Sequence, residues 1–162
     1  MQLSEHFDSM EFEDGGDAIP EECIPIFKEF CSLILEPIRG YIGEPMEITS
    51  GYRSAADNAS PAVHGNPHSE HVATQSYCAA DFSFAIVADK VSSVRAVFDW
   101  IRSNPAIPFH IVTLEHGAQG RSIIHISYNK DLPGIRKALE GATHNAIPYT
   151  HWEVVAYNPA AS

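Results

Sequence analysis

The chain has 162 residues, 44% of them apolar and 10% aromatic, a composition that supports one hydrophobic core and excludes a disordered tail. Its formal charge of −11 argues against general affinity for nucleic acid or an anionic membrane, because phosphate binding needs a basic face. One domain over 1–162 is expected.

The opening Leu3-Ser4-Glu5-His6-Phe7 leads into an acidic stretch from Glu11 to Asp17 that reads as an exposed loop. From Pro20 to Arg39, the residues Ile24, Phe27, Phe30, Cys31, Ile34, Leu35 and Ile38 recur at helical spacing. The pattern predicts one amphipathic helix with Pro25 in its first turns and Pro37 ending or bending it. Gly40 and Gly43 mark a turn into Met46-Glu47-Ile48-Thr49, which alternates like a short strand. Residues 50–70, rich in Ser, Asn, Pro, Gly and His, predict a long structured loop with one short helix, the kind of segment that often carries function.

Cys78 to Ile86 predicts a strand and Val91 to Ser103 a second helix, with Val94, Val97, Phe98 and Ile101 on one side. Ile111 to Leu114 and Ile123 to Tyr128 are predicted strands, joined as a hairpin through Gly117-Ala118-Gln119-Gly120-Arg121. Gly134 to Gly141 is expected to form a short helix and Trp152 to Tyr157 a last strand. The sum is an α+β fold with an antiparallel sheet and flanking helices.

Cys23, Cys31 and Cys78 form no CxxC pair, so neither a disulfide framework nor a thiolate zinc knuckle is indicated. Cys23 and Cys31 fall on the helical apolar pattern and read as buried small hydrophobes. No apolar run has the length of a membrane span, and the start lacks the pattern of a signal peptide. The corresponding expectation is synthesis in the cytoplasm, with release or delivery before action on anything outside. Nine histidines are the compositional oddity, and they direct the search toward metal chemistry.

Three segments each offer one good ligand: His71 in Ser69-Glu70-His71, Asp81 in Ala79-Ala80-Asp81, and His125 in Ile124-His125-Ile126-Ser127. Two imidazoles and one carboxylate leave a fourth tetrahedral position open, as catalytic zinc requires. With a hairpin loop of Gly117 to Arg121, His116 faces Ser122, Glu115 faces Ile123 and Thr113 faces His125. Glu115 and His125 then share one face of the sheet as diagonal neighbours, roughly 7–8 Å apart. Glu115 is therefore the candidate general base. A register shifted by one residue would turn it to the opposite face.

Ser50-Gly51-Tyr52-Arg53-Ser54, Asn58, Ser69-Glu70-His71, Ala79-Ala80-Asp81 and Ile124-His125-Ile126-Ser127, in that order, resemble the motifs of the M15 zinc peptidases, the D-Ala-D-Ala carboxypeptidase family. The likeness is to small bacterial and phage-encoded members and includes the opening Ser4-Glu5-His6-Phe7. It implies a single domain of the Hedgehog/DD-peptidase fold, with Zn2+ held by His71, Asp81 and His125. It further implies that Arg53 binds a substrate carboxylate or carbonyl, a task suited to guanidinium geometry. Ser69 would assist substrate binding or orient the His71 region. The substrate so implied is the peptide part of peptidoglycan, cut next to a D-amino acid by a monomeric enzyme of carboxypeptidase or phage endolysin type.

Two positions depart from the family pattern. Val72 to Cys78 makes the His71–Asp81 spacing longer than usual and contains no glycine, so Asp81 reaches the site only if the extra residues bulge outward. Ser122 stands where many members carry the acidic base, three residues before the last histidine. These departures keep a second reading open, a catalytically inactive binding or virion-structural module. Other assignments are weaker. His64 and His68 lie near His71 but read as solvent-facing loop residues, and His110, His116, His144 and His151 read as surface or supporting groups. Glu153 is a rival base on the last strand. A cysteine hydrolase acting through Cys78 lacks any feature that would activate the thiol.

Overall fold

In the computed structural model, residues 1–13, 16–63, 65–86, 93–117, 121–142 and 153–156 are described, with 142 and 153–156 described by their backbone. A 3-10 turn, Ser9–Phe12, interrupts the expected acidic loop: Asp8 caps it, and Glu11 bonds back to the Asp8 backbone as a capping box. A 3-10 turn at Glu21–Cys23 then runs into α1 (Ile24–Phe30), a π segment (Cys31–Leu35) and α2 (Glu36–Ile42). Pro37 therefore neither ends nor breaks the helix. Proline cannot bond back to the fourth residue before it, and the preceding π segment, where the Glu36 N–H reaches Cys31 O, absorbs the misfit. The helix stops at Gly43, whose φ of 72° is the left-handed cap conformation.

Six strands follow: β1 (Met46–Ser50), β2 (Tyr77–Phe84), β3 (Ile111–His116), β4 (Ser122–Asn129), β5 (Lys137–Ala142) and β6 (Glu153–Ala156). They form one sheet in the order β1-β2-β4-β3-β5-β6. All neighbouring pairs are antiparallel except β3–β5, which is parallel. The short helix expected at Gly134 to Gly141 is instead β5. Lys137-Ala138-Leu139-Glu140 has strong helical propensity, but pairing along the open edge of β3 and burial of Ala138 override it. The Trp152 to Tyr157 strand is present as β6; residues 152 and 157 lie outside the described residues.

Between β1 and β2 lies the expected loop with its short helix, α3 (Ala55–Asn58), and between β2 and β3 lies α4 (Val94–Ser103). α4 starts later than the Val91 expected, because the Ser93 side chain accepts from Ala96 N and fixes the first turn. Val97, Phe98 and Ile101 are its buried face.

Alternation along the strands divides the sheet into two chemistries. Cys78, Ala80 and Phe82 of β2, Val112 and Leu114 of β3, and Ile124 and Ile126 of β4 are buried with the helices' Phe27, Phe30, Ile34, Ile38, Phe98 and Ile101 in one cluster. The residues between them, Asp81, Thr113, Glu115, His125 and Ser127, point to the opposite face. That face is where the loop between β1 and β2 lies.

Candidate metal centre and its surroundings

A single row crosses the sheet: Ser50 pairs with Asp81, Asp81 with His125, and His125 with Thr113. Ser50 reaches that row through a bulge, since the pairing shifts between Ile48 and Ser50. Asp81 and His125 are thus directly opposed, with Oδ1 and Nδ1 2.7 Å apart. The loop supplies the third group. His71 Nδ1 lies 2.6 Å from Gly51 O, and because a carbonyl only accepts, Nδ1 carries the proton and Nε2 a lone pair. That Nε2 is 3.3 Å from Asp81 Oδ1 and 3.2 Å from His125 Nδ1.

Each of the three residues offers one ligand atom, all within 4.8 Å of one another. Electron pairs converging in this way repel unless a proton or a cation lies among them. Ligands about 2.1 Å from a tetrahedral zinc ion stand roughly 3.4 Å from each other. Two of the three separations, 3.2 Å and 3.3 Å, are near that edge length, and 2.7 Å for Asp81–His125 is a hydrogen-bond length that needs only a small opening. The donor set fits a zinc ion. The extra residues between His71 and Asp81 do not prevent this. They turn outward at Gln75, closed by Thr74 N to Tyr77 O (3.0 Å) and tied to the strand end by Lys130 N to Ser76 O (2.9 Å).

The electrostatics follow the geometry. Burial alone would raise the Asp81 carboxyl, but the two imidazoles beside it, His71 and His125, hold it well below the ordinary carboxylate range. Burial would lower His125, and the Asp81 carboxylate more than reverses that, so His125 is raised. Glu115 pairs with Ile123 as the hairpin register requires, and Gly117 N to Arg121 O closes the loop. Burial, followed by the Asp81 charge, raises the Glu115 carboxyl, while His125 and Arg53 oppose the rise. Glu115 therefore lies on the same side of the sheet as Asp81 and His125, within electrostatic reach of both and of Arg53.

Arg53 is held by its own loop. Its Nε and Nη2 donate to Ser50 Oγ at 3.3 Å and 3.0 Å, its backbone N donates to His71 O, and Nη2 stands 3.9 Å from Asp81 Oδ2. Ser69 Oγ accepts from His71 N at 3.3 Å, which steadies the turn leading into His71. Beyond Arg53 and beside His71 in the chain, Ala55, Asn58, Ala59, Gly65, Pro67 and Val72 line a cavity of about 450 Å3.

One part of the surroundings escaped the reading of the sequence. Glu70 Oε1 lies 2.8 Å from His110 Nδ1, with side chains 13% and 10% exposed, so a buried hydrogen bond ties the His71 loop to the start of β3. Its signal was the acid inside Ser69-Glu70-His71, but nothing in the spacing pointed to His110. His116 bonds Ser122 Oγ and Glu140 on the surface. His68 N bonds Asn66 Oδ1 in an exposed turn, as expected for a residue outside the metal cluster. His64, His144, His151 and the Glu153 side chain lie outside the described residues. Cys78 is fully buried and its thiol is pushed well above the ordinary value, chiefly by desolvation, which removes it as a nucleophile.

A family model described as Peptidase M15 matches residues 6–104. The chain belongs to the peptidase M15 family. No curated protein and no solved structure gives a match. For an M15 peptidase, whose family is generally metal-dependent and acts on peptides, the His71–Asp81–His125 triangle is the possible metal site. The matched span contains His71 and Asp81, whereas His125 and Glu115 lie beyond it and rest on the sheet register. No helix among the described residues is long and apolar enough to cross a membrane.

Proposed function

We propose that this M15 peptidase is zinc-dependent and hydrolyses an amide next to a D-amino acid in peptidoglycan peptides. The observation that carries this reading is the convergence of His71 Nε2, Asp81 Oδ1 and His125 Nδ1 on one point, with Glu115 on the same sheet face. A zinc ion bound there would lower the pKa of water toward neutrality and polarise a carbonyl.

The chain's own residues would do the rest. Glu115, its carboxyl raised by burial, accepts a proton from the attacking water and returns it to the leaving amine. Arg53, fixed by Ser50 beside Asp81, presents its guanidinium to a terminal carboxylate or to the carbonyl oxygen as charge develops. Gly51 O and Ser69 keep His71 in one tautomer and one orientation. The choice of D-amino acid substrates is supported by the ordered set of motifs from Ser50-Gly51-Tyr52-Arg53 to His125. Trimming of a terminal D-Ala and cutting of a cross-bridge both fit this arrangement.

The deciding experiment is zinc analysis of the purified protein together with hydrolysis of peptidoglycan fragments. About one zinc per chain, lost in His125→Ala together with hydrolysis, supports the reading. A protein that binds zinc and substrate without turnover is instead a binding module, and one that takes up no zinc when it is supplied loses the mechanism.

A further inference from the structure

The opening Ser4-Glu5-His6-Phe7 contributes nothing directly to the metal triangle, yet the chain around it leads there by contact. Ser4 Oγ donates to Glu36 Oε1 at 2.7 Å, His6 N donates to the same oxygen at 2.8 Å, and His6 Nδ1 lies 2.8 Å from Oε2. One carboxylate on α2 thus clamps the segment at three points. Leu3, Phe7 and Phe12 are buried beside it, and the Phe12 ring packs on Phe7 and edge-on against Phe27 of α1.

The segment ends against the metal loop. Tyr52 N donates to Phe12 O at 2.6 Å, and Glu13 forms a parallel bridge with Tyr52. A Cβ on residue 51 would stand 2.5 Å from both Cα and O of Phe12, so the backbones are in contact and only glycine fits. The carbonyl of this Gly51 is the acceptor 2.6 Å from His71 Nδ1.

We infer that the N-terminal segment is the outer wall of the metal site, with Phe12 and Gly51 acting as positioning residues that set the tautomer and orientation of His71. Gly51 O fixes the ring, the Phe12 backbone fixes Gly51, and the Glu36 clamp fixes the segment that carries Phe12. Partners that orient a ligating histidine commonly govern metal affinity about 10–100-fold when removed. The consequence for zinc rests on the proposed function; the positioning of the ring does not.

The test compares the parent with Gly51→Ala, Glu36→Gln and, as a control, Gly40→Ala, whose added Cβ meets nothing within 4 Å. Nitrogen-15 shifts of the His71 ring in metal-free protein report the tautomer, and competition with a chelator reports the zinc Kd. The parent and the control should show the Nδ1–H form. Gly51→Ala should lose it and bind zinc about 10–100-fold more weakly, a change that a loss of stability alone would not produce in the folded fraction. Glu36→Gln should do the same to a smaller degree, with faster hydrogen exchange at Tyr52 N–H, and it serves if Gly51→Ala does not fold. Unchanged tautomer and unchanged Kd in a variant whose Tyr52 exchange has risen would overturn the inference. A parent that binds no zinc overturns the metallopeptidase reading instead, and the tautomer still decides the positioning.

Discussion

Asp81 and His125 stand directly opposite one another on β2 and β4, and their side chains meet at 2.7 Å on the face of the sheet away from the helices. Strand register alone brings them together, so the pair is a property of the sheet and not of a loop. His71 is the part that the loop between β1 and β2 must deliver.

Asp81→Asn is the sharpest test of that arrangement, because it keeps the volume and removes the charge. The buried carboxylate is stabilised by two imidazoles, and the amide presents a weak neutral oxygen in its place. Zinc affinity is expected to fall by at least about 100-fold, an extrapolation from the 10–100-fold loss for outer partners alone. Isothermal calorimetry and elemental analysis measure it. A variant that binds zinc like the parent would remove Asp81 from the ligand set.

Glu115→Gln separates chemistry from metal binding. Glutamine keeps the length and the strand position opposite Ile123 but accepts no proton. Turnover of a peptidoglycan fragment should fall roughly 100- to 10,000-fold, the usual contribution of a positioned acid–base group. The zinc content should not change. Retained activity would move the search for the base to Glu153, on the last strand.

These residues differed in how plainly the sequence announced them. The shared face of Glu115 and His125 was legible because strand alternation and a hairpin loop fix which side chains lie together, whereas His71 and Asp81 were marked by residue type and by the motifs they stand in. The Pro20 to Arg39 helix and the Val97, Phe98 and Ile101 face were legible from their spacing. β5 was not, because its helical propensity is local while the edge of β3 that captures it is distant in sequence. The Glu70–His110 pair and the contact of Phe12 with Gly51 were hidden for the same reason: each joins segments about 40 residues apart, and neither has a periodic signature.

Arg53→Lys tests substrate anchoring. The guanidinium spends two nitrogens on Ser50 Oγ and still stands 3.9 Å from Asp81, a planar fork that an ammonium cannot copy. Loss of a charge-assisted contact costs about 1.5–3 kcal/mol, or roughly 10- to 150-fold in kcat/KM. The loss should be concentrated in KM for a substrate ending in a free carboxylate and be small for its amide. Equal losses for both would show that Arg53 serves the loop and not the substrate.

Glu36 gives the fold an acid-sensitive joint. Partial burial would raise its carboxyl, but the hydrogen bonds from Ser4 and His6 prevail and hold it below its ordinary value of 4.5. A carboxyl depressed on folding contributes stability above its unfolded pKa and loses it as pH falls through the folded pKa. The parent should therefore exceed Glu36→Gln in urea midpoint by a constant margin above about pH 5, and the margin should shrink at lower pH. Breaking hydrogen bonds to a charged group sets that margin at about 1.5–3 kcal/mol. A margin that did not change between pH 7 and pH 3 would mean that Glu36 acts through packing, and the ionic clamp on the N-terminal segment would have to be given up.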